Sequence, residues 1–128
     1  MQFTEAELTQ VLKGVALATL AAQSKDIRKG KLDVDQVWSD LGGYARYEML
    51  EALSHRVLPV LVALPEVERV HGKHLKVRGS LLRAAVEETT GEEAGTGVRR
   101  KAYVVSMAAL VGAALAGLAP YVDPEKVS

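Results

Sequence analysis

Apolar residues recur along this chain at intervals of three and four, the period of a helix with one buried side. Leu8, Val11, Leu12, Val15 and Ala22 form the first such stripe, widened by Leu17 and Leu20. Its start is marked twice. Thr4 and Glu7 have capping-box spacing, and Phe3 with Leu8 has the spacing of a hydrophobic staple. Arg28 and Lys29 suit the negative end of a helix dipole, and Gly30 can take the left-handed cap conformation. The pattern predicts one helix from about Glu5 to about Lys29, weakest around Ser24.

The same start device returns at Asp33 and Gln36, flanked by Leu32 and Val37. Val34, Val37, Trp38 and Leu41 then give a short helix stopped by Gly42 and Gly43. A third helix begins near Tyr44 and carries Met49, Leu50, Leu53, Val57, Leu58 and Leu61 inward. Pro59 has no amide to offer the carbonyl of His55, which predicts a kink or an end there, and Pro65 closes the segment. Residues 66–79 read two ways. The alternation across His74, Leu75, Lys76, Val77 and Arg78 with a turn at Gly72–Lys73 fits a small β-hairpin, and a helical turn over 66–71 followed by a loop fits as well. Ser80 is a candidate N-cap for a short helix through Leu81, Leu82, Ala85 and Val86 that ends before Gly91. Residues 89–97 read as a flexible connection.

The longest apolar run, 102–119, contains no charge and ends at Pro120. Val104, Met107, Val111, Leu115 and Leu118 line one side at spacings of three and four. Opposite lie Ala109, Gly112, Ala113 and Ala116, a small-residue strip that admits another backbone. A helix apolar all round asks for burial on all sides, in a protein core or in lipid. Arg99, Arg100 and Lys101 at its start would mark the cytoplasmic side of a C-terminal anchor. About half of the run is alanine or glycine, however, and three other segments need a shared partner for their apolar faces. These observations favour an all-α domain over 1–128, four or five helices packed around an apolar C-terminal central helix, with a polar tail at 123–128.

Composition narrows the function classes. Sixteen basic and sixteen acidic residues balance to zero net charge, which gives no bulk attraction to nucleic acid. With no cysteine there is no disulfide framework and no thiolate chemistry, and the first residues lack the pattern of a signal peptide. Both point to a cytoplasmic protein or a part of an intracellularly assembled particle.

Candidate chemistry is sparse. Glu68, His71 and His74 are spaced three apart, as metal ligands on a helix face would be, but lysines around them oppose a cation. Gly95-Thr96-Gly97 before Arg99 and Arg100 resembles an anion cradle at a helix start, opposed by Glu92 and Glu93. Residues 33–56 have a helix-turn-helix outline whose second helix carries Glu48 and Glu51, a poor match to DNA. Arg69, Lys73, Lys76, Arg78 and Arg83 form the densest basic cluster and, with Arg99 and Arg100, are the candidate contacts for an anion or partner. No nucleophile, acid–base pair, cofactor motif or metal cluster converges. The expectation is therefore a non-enzymatic protein without cofactor, acting by association with itself or other protein subunits, as in an oligomer or a virion-type structural assembly. Leu17, Leu20 and Val62, off the main stripes, are candidates to meet a second copy. An anion- or nucleic-acid-binding module and a tail-anchored membrane protein are the alternatives.

Overall fold

Thr4 opens the first helix as its spacing requires. In a computed structural model, which describes residues 1–126 of the 128-residue chain, its hydroxyl accepts from the Glu7 amide at 3.1 Å and its own amide donates to Glu7 Oε1 at 3.1 Å. Helix α1 runs over Glu5–Gln23. It does not continue to Lys29. Ser24 adopts an extended conformation and its hydroxyl accepts from the Ile27 amide at 3.3 Å, so one predicted helix becomes two, α1 and the single turn α2, Lys25–Arg28. Gly30 then turns the chain at a φ of 76°.

Helix α3, Val34–Asp40, is capped by Asp33, whose carboxylate accepts from the Asp35 amide at 3.0 Å. Gln36 does not close the box and donates instead to Asp40 Oδ1 at 2.9 Å. Trp38 is buried on the side facing α1. Gly42, at a φ of 85°, makes the sharp entry into α4, Gly43–Ala63. Pro59 lies inside α4 without ending it. Both Pro59 and His55 are exposed, so the carbonyl that loses its partner lies on the solvent side of the helix. Residues 65–78 contain no strand and no helix, so neither the hairpin nor the helical turn expected over 66–79 forms. Helix α5, Gly79–Thr89, starts one residue ahead of Ser80, which is therefore in the first turn and not its cap. A 3-10 turn at Glu92–Ala94 interrupts the connection expected to be flexible. Helix α6 spans Gly97–Ala116, beginning earlier than the apolar run and closing at Gly117 ahead of Pro120.

The four long helices form a ring in which α1 packs on α4 and α6, and α5 packs on α4 and α6. Val11, Val15, Val57, Leu61, Val86, Val111, Leu115 and Leu118 are fully shielded at its centre. Glycine permits the closest approaches. A Cβ at Gly14 would lie 3.1 Å from Ala114 Cβ, and one at Gly112 would lie 2.9 Å from Leu82 Cδ1. Helix α6 supplies the most buried side chains of any helix: Val104, Met107, Ala108, Val111 and Leu115. It is nevertheless a member of the ring and not enclosed on all sides. Ala102, Val105, Ala109, Ala113 and Ala116 are all exposed. The large-residue side predicted for α6 is its core face, whereas Ala109, Ala113 and Ala116 of the opposite small-residue strip are exposed and only Gly112 is partly covered.

Candidate functional site

Cations reach the carbonyl ends of α1, α3, α4 and α5. The last carbonyls of a helix have no partners within it and carry the negative pole of its dipole, so a donor with positive charge suits them. Arg28 returns to the carbonyls of Ala21 and Ala22 at 3.2 and 2.5 Å, which finishes α1. Arg46 donates to the Ser39 carbonyl at 2.7 Å and fixes the corner between α3 and α4. Trp38 is buried at that corner, while Tyr44, Tyr47, Glu48 and Glu51 at the start of α4 are exposed, and the two glutamates keep the helix-turn-helix outline a poor match to DNA. The ammonium of Met1 reaches the Leu64 carbonyl at 2.5 Å, beyond the end of α4.

Two of the candidate contact residues are engaged within the chain, Arg100 in this way and Arg69 by a carboxylate and a ring. Arg100 does not join an anion cradle at Gly95–Gly97; it crosses to the end of α5. Its Nε meets Glu87 Oε1 at 2.5 Å, its Nη1 donates to the Gly91 carbonyl at 2.9 Å, and its Nη2 donates to the carbonyls of Thr90 and Glu87 at 3.0 and 3.2 Å. Four acceptors take four of the five N–H groups of the guanidinium, and a positive charge at the start of α6 serves the end of α5. Arg69 is likewise withdrawn, its side chain only 13% exposed. It pairs with Glu7 at 3.0 Å and lies over the Tyr121 ring at 4.9 Å. Its Nε and Nη2 are shielded from solvent and find no acceptor among the described residues. Burial alone would raise the Glu7 carboxyl, but the Thr4 amide and the Arg69 guanidinium outweigh it and hold the group below the ordinary 4.5.

The strap over 65–78 owes its path to the far end of the chain. The Gly72 amide donates to the Tyr121 carbonyl at 2.8 Å, and the Tyr121 amide donates to the Lys73 carbonyl at 3.0 Å. His74 Nδ1 donates to the Leu118 carbonyl at 3.0 Å, while His71 Nδ1 accepts from the Asp123 amide at 3.1 Å. The residues that pair with 118–123 are 71–74, while the period-two stretch at 74–78 buries Leu75 and does not pair with itself. Both histidines hold the C-terminal segment, and among the described residues no group of three His, Cys, Asp or Glu could hold a metal. The polar tail expected over 123–128 is anchored at Asp123; its last two positions lie outside the described residues.

Lys73, Lys76, Arg78 and Arg83 remain exposed, and none forms an ion pair among the described residues. An open groove of about 580 Å³ follows the strap beside Lys73 and Lys76. Arg99 belongs elsewhere, in a cleft of about 250 Å³ with Arg56, Glu93 and Tyr103. The seven candidates therefore divide into two structural arginines, four free cations along the strap and the start of α5, and one separate arginine. Comparison with known proteins adds no relative: no family model, no curated protein and no solved structure matches the chain.

The least expected surface is the outward face of α6. Val98, Ala102, Val105, Ala109, Ala113 and Ala116 fall within an arc of about 80° at 100° per residue. Val98 is 86% exposed and Val105 49%. No charged residue interrupts this stripe from Ala102 onward. Among the described residues, no helix is long and apolar enough to cross a membrane, because alanine and glycine dilute the run. Val62 is exposed as expected, while Leu17 and Leu20 are half-buried. Tyr44 and Tyr47, on adjacent turns of α4, are exposed as well. The three- and four-residue spacings of the α6 stripe are visible in the sequence, but the larger residues behind it dominate the pattern.

Proposed function

We propose that this helical domain acts without catalysis, through protein–protein association, as a subunit of a homo-oligomer or larger assembly. The outward stripe of α6 carries the reading. A solvent-facing helix side ordinarily bears charged residues, and one that bears none over several turns is suited to burial against another surface. Small side chains let a second helix approach closely, as Gly14 on Ala114 and Gly112 on Leu82 do within this chain. Light scattering during size exclusion, over a range of concentrations, tests the proposal. A mass above that of one chain is expected, and a monodisperse single-chain mass at high concentration would overturn it.

A second reading draws on the free cations. Lys73, Lys76, Arg78 and Arg83 are suited to a polyanion, whether nucleic acid or an acidic protein face. Such binding would weaken steeply with salt and disappear when Lys73, Lys76 and Arg78 are replaced by glutamine. No salt-sensitive binding to DNA, RNA or polyphosphate would sink this reading.

A further inference from the structure

We infer that the stretch 74–78 of the strap accepts an extended acidic segment of another protein as an added β-strand. The inference rests on the free-cation reading above and names its partner. Its first observation is unpaired backbone. Residues 73–78 contain no helix, turn or bend, and exposure alternates: Leu75 is buried and Val77 half-buried, while His74, Lys76 and Arg78 face out. The amides of 74–78 and the carbonyls of 74–77 have no hydrogen-bond partner among the described residues, although Gly72 and Lys73 just ahead of them pair with Tyr121. In extended backbone, alternate residues aim their N–H and C=O groups at the same edge. Either edge of this stretch therefore offers two or three unpaired sets over about 16 Å. Water serves these groups in the unbound chain, and a second strand would replace it with donors and acceptors in register.

Charge selects the partner. Lys73, Lys76, Arg78 and Arg83 are exposed, and none forms an ion pair among the described residues. A Cβ at Gly79 would lie 3.2 Å from Arg83 Nη1, so that guanidinium folds back beside Arg78. Opposing charge is sparse along this stretch. Between Val67 and Val86 the sole acid is Glu68, which shares the strap groove with Lys73 and Lys76. Asp123 and Glu125 lie by His71, ahead of the stretch, and neither pairs with a strap cation. Glu87 and Glu88 belong to the last turn of α5, the former held by Arg100. Two straps set edge to edge would oppose Lys76 and Arg78 with like charges, which disfavours a second copy of the same stretch. A nucleic acid would use the side chains alone and leave the backbone groups in water.

The probe is a capped peptide of about ten residues, alternating glutamate and threonine, read by fluorescence anisotropy against the full chain. Binding is expected, and it should weaken at least about ten-fold as salt rises from about 0.05 to about 0.5 M. Replacing Lys73, Lys76 and Arg78 with glutamine should weaken it by about as much. Two further peptides, N-methylated at every glutamate or at every threonine, separate strand addition from charge alone. One should lose binding about ten-fold and the other keep it, because an added strand turns only every second amide to its neighbour. Hydrogen exchange should slow on binding at alternate residues of 74–78. Equal behaviour of the two methylated peptides, without that slowing, would overturn strand addition and leave the cations as a plain polyanion site. Binding of RNA or polyphosphate but not of the peptide would do the same. If peptide, RNA and polyphosphate all fail to bind in a salt-sensitive way, the free-cation reading falls as well.

Discussion

The two sides of α6 are both apolar, yet they differ in almost every other respect. Toward the ring, Val104, Met107, Val111 and Leu115 pack into the core, and each is buried. Away from it, alanines and two valines face outward on a surface smooth enough for a helix to lie against. The contrast shows that hydrophobicity along a sequence records a demand for burial without saying whether the same chain meets it. Side-chain size carries the missing information. Large residues mark the face that packs internally, and small ones mark the face left open to close approach.

The sharpest way to separate the two faces is to damage each. Leu115→Ala removes a fully buried side chain and should cost about 2–5 kcal/mol of unfolding free energy, read by urea denaturation. Ala109→Glu, on the opposite side, should change that free energy by less than about 1 kcal/mol while shifting the light-scattering mass toward a single chain. If Ala109→Glu unfolds the chain as Leu115→Ala does, the outward face is part of the core and the contrast is lost.

A second pair extends the comparison to the charged start of the same helix. Arg100 and Arg99 are neighbours, but only Arg100 closes the end of α5. Arg100→Ala should cost about 1–2 kcal/mol, tempered by the exposure of its Glu87 partner, and Arg99→Ala within about 0.5 kcal/mol. Equal effects would mean that the carbonyl bonds contribute nothing measurable.

Glu7 offers a subtler test, because its effect depends on pH. A carboxyl whose folded value lies below its unfolded one stabilises the fold above the unfolded value, and that contribution is lost as pH falls through the folded value. Glu7→Gln should therefore lower the melting temperature at pH 7, and the gap from the parent chain should narrow below the ordinary 4.5. A gap independent of pH would assign the effect to packing around Arg69 instead. The smallest effect on folding should come from the strap. Replacing Lys73, Lys76 and Arg78 with glutamine is expected to leave stability within about 0.5 kcal/mol, as for exposed positions generally. A larger loss in a denaturation curve would show that these cations brace the strap.

Local signals were legible where both partners sit within a few residues. The Thr4–Glu7 box, the Asp33 cap and the Gly30 turn all form where their spacing places them. So does the large-residue side of α6, since its period is internal to one helix. What was hidden depends on distant backbone. Arg100 looks like a free cation in the sequence because a helix end presents carbonyls, which every residue has and no residue type announces, and Arg69 does so because Glu7 and Tyr121 lie far from it along the chain. The alternation at 74–78 suggested a hairpin because a period of two records extended backbone without recording where its hydrogen bonds go. The bonds to the segment around Tyr121 come instead from Gly72 and Lys73, just ahead of the alternation. The break at Ser24 was foreshadowed by a residue that competes for local backbone bonds, though its capping of a separate turn was not.

That long-range clasp carries a consequence for timing. Gly72 and Lys73 on one side and Tyr121 on the other, about fifty residues apart, share two bonds that cannot close until α6 has been synthesised and docked. During translation the strap must wait, held only by Leu75 and its flanking helices, while the ring already has three of its four long members. The amides of Gly72 and Tyr121 should protect together in pulsed hydrogen exchange, late in folding, as one cooperative latch. The last event in building this domain would then be the fastening of its two least regular segments to each other.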